Sequence, residues 1–241
     1  MDESRSVTEI LQHLQAGEIH MDGYVPWGSN YTFIVTMTHE GVEMEAVYKP
    51  REGEQPLWDF PTGTLCSRER AAYLVSDWLK WDVIPPTILR EGPQGWGSVQ
   101  FFIDHDPEEN FFTFRDDYGA DLRLVALLDL IINNADRKGG HVIVGTDGRL
   151  WAIDHGIAFH DEPKLRTVIW DYVGEPFEAD WVGRMEALQM ELASGSELLP
   201  QLQELLSRRE LQAMQNRLAK LLNQPIFPEP GPGRPYPWPL V

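Results

Sequence analysis

Between Glu18 and Tyr48 apolar and polar residues alternate around two turn signals, the period of two that a half-buried antiparallel sheet requires. The first turn, Pro26-Trp27-Gly28-Ser29-Asn30, separates a strand over 19–25 from one over 31–38. The second, His39-Glu40-Gly41, leads into a third strand that ends at Lys49 and is stopped by Pro50. A short helix over 7–14, ended by Gly17, precedes this sheet. A loop rich in Pro and Gly follows it, and Ser67 is placed to cap a helix over 68–79 whose apolar residues fall at helical spacing. Pro85-Pro86 then breaks the chain before two strand-like runs, 87–89 and 98–103.

Beyond an acidic loop the period changes. Residues 121–132 form a helix so apolar that it must be largely buried. Residues 142–144 and 150–153 read as a small hairpin turning at Thr146-Asp147-Gly148, and amphipathic helices follow over 178–193 and 198–222. The last seventeen residues hold seven prolines, a tail that runs extended or wraps the surface. Sheet first and helices second is an α+β order of elements, read here as one domain over 1–241 with halves 1–103 and 104–224 and a tail from 225.

Composition narrows the partners. The chain is 42% hydrophobic and carries nine Trp, enough for a packed core. Its 20 Lys and Arg face 38 Asp and Glu, and a net charge of -18 repels nucleic-acid phosphates and anionic lipid at long range, so neither nucleic acid nor stable membrane association is expected. The single cysteine, Cys66, offers no intramolecular disulfide and suits a reducing, cytoplasmic setting. The start, M-D-E-S-R-S, lacks an export pattern, and the most apolar run is interrupted by Arg123 and Asp129, so no membrane span is expected.

Phosphoryl transfer needs a flexible backbone over the phosphates, a cation on them, metal-holding groups and a carboxylate near the attacking hydroxyl. Gly28, Ser29 and Asn30 lie in a turn where small residues let N–H groups approach phosphate oxygens, although such turns are mostly only turns. Lys49 closes an apolar strand in A-V-Y-K-P, where its ammonium can project inward and be held by Glu69; the alternative is a solvated surface lysine. Asp136 follows a buried helix and Asp154 follows a strand, and charges at the edge of such packing need a partner, a metal or a catalytic task. Each has a structural alternative, Asp136 pairing with Arg137 and Asp154 forming a turn before Gly156. The hairpin between them returns both loops to one place, which favours function. His141, five residues after Asp136, is within reach of the same metal as Asp154.

These stretches resemble the phosphatidylinositol 3- and 4-kinase superfamily, particularly the type II phosphatidylinositol 4-kinases and their small bacterial relatives. The resemblance runs through G-S-N-Y-T-F-I-V, A-V-Y-K-P, R-E-R-A-A-Y-L, G-S-V-Q-F-F-I-D, N-N-A-D-R-K-G-G-H and A-I-D-H-G-I-A-F, in that order. It implies a two-lobed protein-kinase-like fold with an antiparallel-sheet N-lobe, a mainly helical C-lobe and ATP between them. Adenine would lie against Phe102 and Ile103 and bond to their backbone; Lys49 would hold phosphate with Glu69 behind it; Asp136 would be the catalytic carboxylate and Asp154 a metal ligand. Relatives carry Asn where this chain has His141, and imidazole suits manganese or other transition ions better than magnesium. Metal affinity should then fall as pH drops through the histidine range near ~6.5.

The leading expectation is an ATP-dependent phosphotransferase using a divalent metal, magnesium or manganese, on a protein or small soluble acceptor. A nucleotide-binding pseudokinase is the alternative that His141 motivates. A metal phosphohydrolase using His141, His160-Asp161 and Asp171 ranks below both, because that class needs its ligands on packed helices.

Overall fold

The computed structural model describes residues 5–24 and 30–241. Helix α1, Val7–Ala16, opens with a reciprocal capping box: Ser6 Oγ accepts the Glu9 N–H and the Glu9 carboxylate accepts the Ser6 N–H. Strands β1 (Glu18–Tyr24), β2 (Phe33–His39) and β3 (Val42–Pro50) pair as an antiparallel meander. Helix α2 (Leu65–Leu79) follows, and then β4 (Thr87–Gly92) and β5 (Gly95–Phe101) form a hairpin whose second strand lies beside β3, giving the order β1-β2-β3-β5-β4. Val35, Met37, Met44, Ala46, Tyr48, Ile88 and Val99 form one face, against which α1 packs Ile10 and Leu14. Side chains alternate along a strand, so Lys49 points to the other face, toward the rest of the molecule.

Three expectations about elements are corrected. The hairpin strands are displaced from 87–89 and 98–103, because Gly92-Pro93-Gln94-Gly95 makes a two-residue turn, with Gly95 at φ +90°. Ser67 does not cap α2. The helix begins at Leu65, and the Glu54 carboxylate, from the preceding loop, accepts the N–H groups of Leu65 and Cys66 at 3.1 and 2.9 Å, leaving Ser67 buried inside the first turn. The single helix over 198–222 is two, as described below.

The second half contains α3 (Phe111–Phe114), α4 (Gly119–Ile132), the two-stranded sheet of β6 (Val142–Val144) and β7 (Leu150–Ala152), and α5 (Ala179–Ser194). Then come α6 (Leu198–Leu205) and α7 (Arg208–Asn223). The break at Leu206-Ser207 comes from a second capping box, Ser207 with Glu210, which starts a new helix. Helix α4 is buried as its composition requires, and its core joins α2, the β6–β7 pair and the three C-terminal helices. The Pro-rich tail wraps the surface: Ile226 bridges Pro176, and the Phe227 N–H donates to the Glu175 C=O at 2.9 Å. The molecule is thus α+β, with an antiparallel-sheet N-lobe and a mainly helical C-lobe. Among the described residues no helix is long and apolar enough to cross a membrane.

Candidate active site

Three elements from distant parts of the chain meet at one lysine. Lys49 Nζ, delivered by β3, lies 2.6 Å from Glu69 Oε1 on α2 and 3.0 Å from Asp154 Oδ1 just beyond β7. Glu69 also accepts the His155 N–H on Oε2 at 2.8 Å, so one buried carboxylate fixes both the lysine and the backbone after Asp154. Burial alone would lower the Lys49 pKa, but the Asp154 and Glu69 carboxylates outweigh it and keep the ammonium protonated. Burial would likewise raise Asp154; Lys49 wins and holds it well below the usual carboxylate range. Asp154 keeps 47% of its side-chain surface open and sits at φ 59°, a left-handed conformation that costs a non-glycine residue energy and that clusters at functional sites.

Asp136 follows α4 and is paired with Lys138 Nζ at 3.4 Å, not with Arg137. Its carboxyl is pushed up to about 6, first by burial and then by the Asp154 charge, with Lys138 opposing. That places it near the range suited to accepting a proton at neutral pH. Arg137 instead turns inward and is fully buried. It binds both oxygens of Asp129 at 2.9 and 3.0 Å and donates to the His141 and Ile153 carbonyls and to His155 Nε2. Asn134 adds a bond to Asp129 at 2.9 Å and accepts the Asp136 N–H at 3.0 Å. The loop that carries Asp136 is therefore built around a bidentate ion pair.

His141 donates its Nδ1–H to the Asp136 carbonyl at 2.9 Å, which leaves the lone pair on Nε2, 3.3 Å from Asp154 Oδ2. Burial pushes the imidazole down to about 4, so two acceptors face each other at neutral pH without a shared proton. This corrects the expected titration near 6.5: the ring is already neutral there. These two atoms could serve as ligands to a divalent cation, with Nε2 oriented by the Asp136 carbonyl behind the ring. Among the described residues no cluster of three or more His, Cys, Asp and Glu is placed to hold a metal, so the remaining ligands of such an ion would be phosphate oxygens and water.

The other expected residues divide. Gly28 and Ser29 lie outside the described residues. Asn30 Oδ1 accepts the Gln55 N–H at 2.6 Å, tying Asn30 to the loop after β3. Phe102 and Ile103 follow β5 between the lobes. The Phe102 N–H donates to the Glu45 carbonyl at 3.2 Å and the Ile103 carbonyl accepts from His105 Nδ1 at 2.7 Å, so these two backbone groups already have partners. Ile103 itself is buried with Ile143 and Trp151. The hydrolase set does not assemble: His160 donates Nε2–H to the Asp59 carbonyl, and Asp171 meets Arg115 at 3.4 Å.

Sequence reasoning missed Asp129, Arg137 and His155. Asp129 was legible as a charge within an apolar helix, which demands a buried partner. It also missed Arg68, buried on α2, which bonds the Ala158 carbonyl and Glu210 of α7 and so ties α2 to the segment after Asp154.

A family model described as phosphatidylinositol 3- and 4-kinase matches residues 63–191, which hold Glu69, Asp136, His141 and Asp154 but not Lys49. A Mycobacterium tuberculosis protein, Rv2133c, is 37% identical over 261 aligned positions, covering 94% of this chain and 93% of that protein. Phosphatidylinositol 4-kinase gamma 4 of Oryza sativa subsp. japonica is 30% identical over 120 residues, 43% of this chain and 21% of the plant protein. Among solved structures, the Helicobacter pylori proinflammatory kinase CtkA aligns with TM-score 0.48 at 9% identity, over 88% of this chain and 93% of that one. Since the family model spans the helix of Glu69 and both acidic loops, and covers more than half of the 241 residues, the chain belongs to the phosphatidylinositol 3- and 4-kinase family.

Proposed function

We propose that the chain is an ATP-dependent phosphotransferase that uses a divalent metal and acts on a soluble protein or small-molecule acceptor. The observation that carries this reading is Lys49 clasped between Glu69 and Asp154, with His141 facing Asp154. Lys49 holds phosphate oxygens, and Glu69 keeps it aimed. Asp154 and His141 would hold the metal, which would supply charge neutralisation on the phosphates. Asp136 takes the acceptor hydroxyl's proton as that oxygen bonds to the γ-phosphorus and the β–γ bridging bond breaks, releasing ADP. Family membership and the acidic loops support the chemistry, while the acceptor rests on composition: a net charge of -18 disfavours an anionic membrane surface.

A second reading, a nucleotide-binding pseudokinase, is favoured by His141, which stands where the resemblance implies Asn. Metal-dependent ATP turnover separates the two. Turnover with manganese or magnesium that falls about 10²–10⁴-fold in Asp136→Asn, with nucleotide affinity kept, supports transfer. Nucleotide binding with no turnover in the parent supports the pseudokinase, and turnover unchanged in Asp136→Asn removes Asp136 from the chemistry.

A further inference from the structure

The last seven residues lie against the loop that carries Asp136. Gly139 and Gly140, three and four positions past that carboxylate, form one side of a groove, and residues 167–170 form the other. The two sides are tied together: Arg137 and Thr167 pair as a parallel bridge, with N–H donation from Arg137 to Arg166 at 3.0 Å and from Val168 to Arg137 at 3.1 Å. The tail crosses this groove. The Gly139 N–H donates to the Leu240 carbonyl at 2.7 Å, and the Pro235 carbonyl accepts the Thr167 N–H at 3.0 Å and the Trp170 Nε1–H at 3.3 Å. A Cβ on Gly139 would meet the Phe112 ring at 2.8 Å, whereas the tail would lie at ordinary contact distance from a Cβ on either glycine, 3.4 Å at the Leu240 carbonyl and 3.8 Å at Val241 Cγ1.

The manner of seating separates a displaceable occupant from a structural strap. A segment held for stability buries its apolar side chains, since that burial is the main driving force. Here Tyr236, Trp238, Leu240 and Val241 all remain exposed, Trp238 to 75%, and only Pro237 is buried. Attachment is by two main-chain carbonyls, of Pro235 and Leu240, on three donors, bonds that do not depend on the identity of the tail's side chains. Without the tail those N–H groups need other acceptors.

We propose that this groove binds a polypeptide acceptor through the Gly139 and Thr167 N–H groups and the Trp170 indole, and that residues 235–241 fill it in cis until such an acceptor displaces them. The inference rests on the phosphotransferase reading and makes its acceptor a protein segment rather than a small molecule.

The test uses the full chain, a chain ending at Arg234 and a synthetic peptide of residues 235–241. The shortened chain should bind the peptide saturably and at least tenfold more tightly than the full chain. Trp170→Phe in the shortened chain should weaken binding about threefold or more, because it deletes the indole donor to the Pro235 carbonyl without adding an atom. Equal binding by full and shortened chains, binding indifferent to Trp170→Phe, or no binding overturns the proposal. If the shortened chain does not fold, amide exchange in the full chain decides. A displaceable tail lets the Gly139 and Thr167 amides exchange by local opening, at least about 100-fold faster than the Ile131 amide of α4. Exchange of both at the Ile131 rate makes the tail structural and overturns it. ATP affinity of the full chain, measured alongside, reports separately on the phosphotransferase reading.

Discussion

Asp136 and His141 are both titrated away from their ordinary ranges by burial, in directions with opposite consequences. For Asp136 the folded pKa, about 6, lies above the unfolded value near ~3.8. The stability it contributes is therefore complete below ~3.8 and is lost as pH rises through about 6, so at neutral pH its charge costs on the order of 2–3 kcal/mol. Asp136→Asn should melt several degrees higher than the parent at pH 7.5, with the gap closing toward pH 4. A lower melting point at pH 7.5 would make Asp136 a structural ion-pair partner of Lys138. For His141, whose ring stays neutral down to about 4, nucleotide affinity in manganese should be flat from pH 8 to 5 as far as this residue is concerned. His141→Asn should shift preference from manganese toward magnesium, read as ATP affinity in each ion. Identical metal preference in parent and variant removes the imidazole from the metal site. At this scale the sequence picked out residues that the fold brings together but not their state. Lys49, Asp136 and Asp154 stood out as charges ending apolar elements, whereas the Nδ1–H bond to a backbone carbonyl is a product of folding alone.

The elements were legible where a local signal set them. The meander, the apolar α4 and the β6–β7 hairpin follow from period and turn residues. The start of α2 was not, because its cap comes from Glu54, eleven and twelve positions before the N–H groups it satisfies. The break between α6 and α7 was written in Ser207-x-x-Glu210 but hidden by an amphipathic pattern that continues across it. Glu54 has a functional consequence, since α2 carries Glu69. Replacing it with Ala should cost about 1–2 kcal/mol, a fall of several degrees in Tm, and should weaken ATP binding through a frayed α2 start. A Tm fall with unchanged ATP affinity would show that Glu69 is positioned without that cap, through Arg68 and Glu210 alone.

Across the whole molecule, the site is the meeting of a sheet lysine, a helix carboxylate and two loops of the helical lobe, held by ties that no stretch of sequence contains. Arg137 clamps the loop before β6 to Asp129 and to the carbonyl ahead of Asp154, and Arg68 joins α2 to α7. Such buried pairs are costly to break singly, on the order of 3–5 kcal/mol, because the remaining charge is stranded. That constraint shapes the direct test of the central claim, that Lys49 with Glu69 forms a nucleotide site. Lys49→Ala alone would strand the buried Glu69 carboxylate, so the paired variant Lys49→Met with Glu69→Gln is the sound comparison. ATP would be titrated calorimetrically into parent and paired variant in manganese, with Tm recorded for each. We predict saturable one-to-one binding by the parent and at least a tenfold loss, ~1.4 kcal/mol, in a folded variant. Equal affinity in the two proteins, or a folded parent that binds no ATP, would contradict the account.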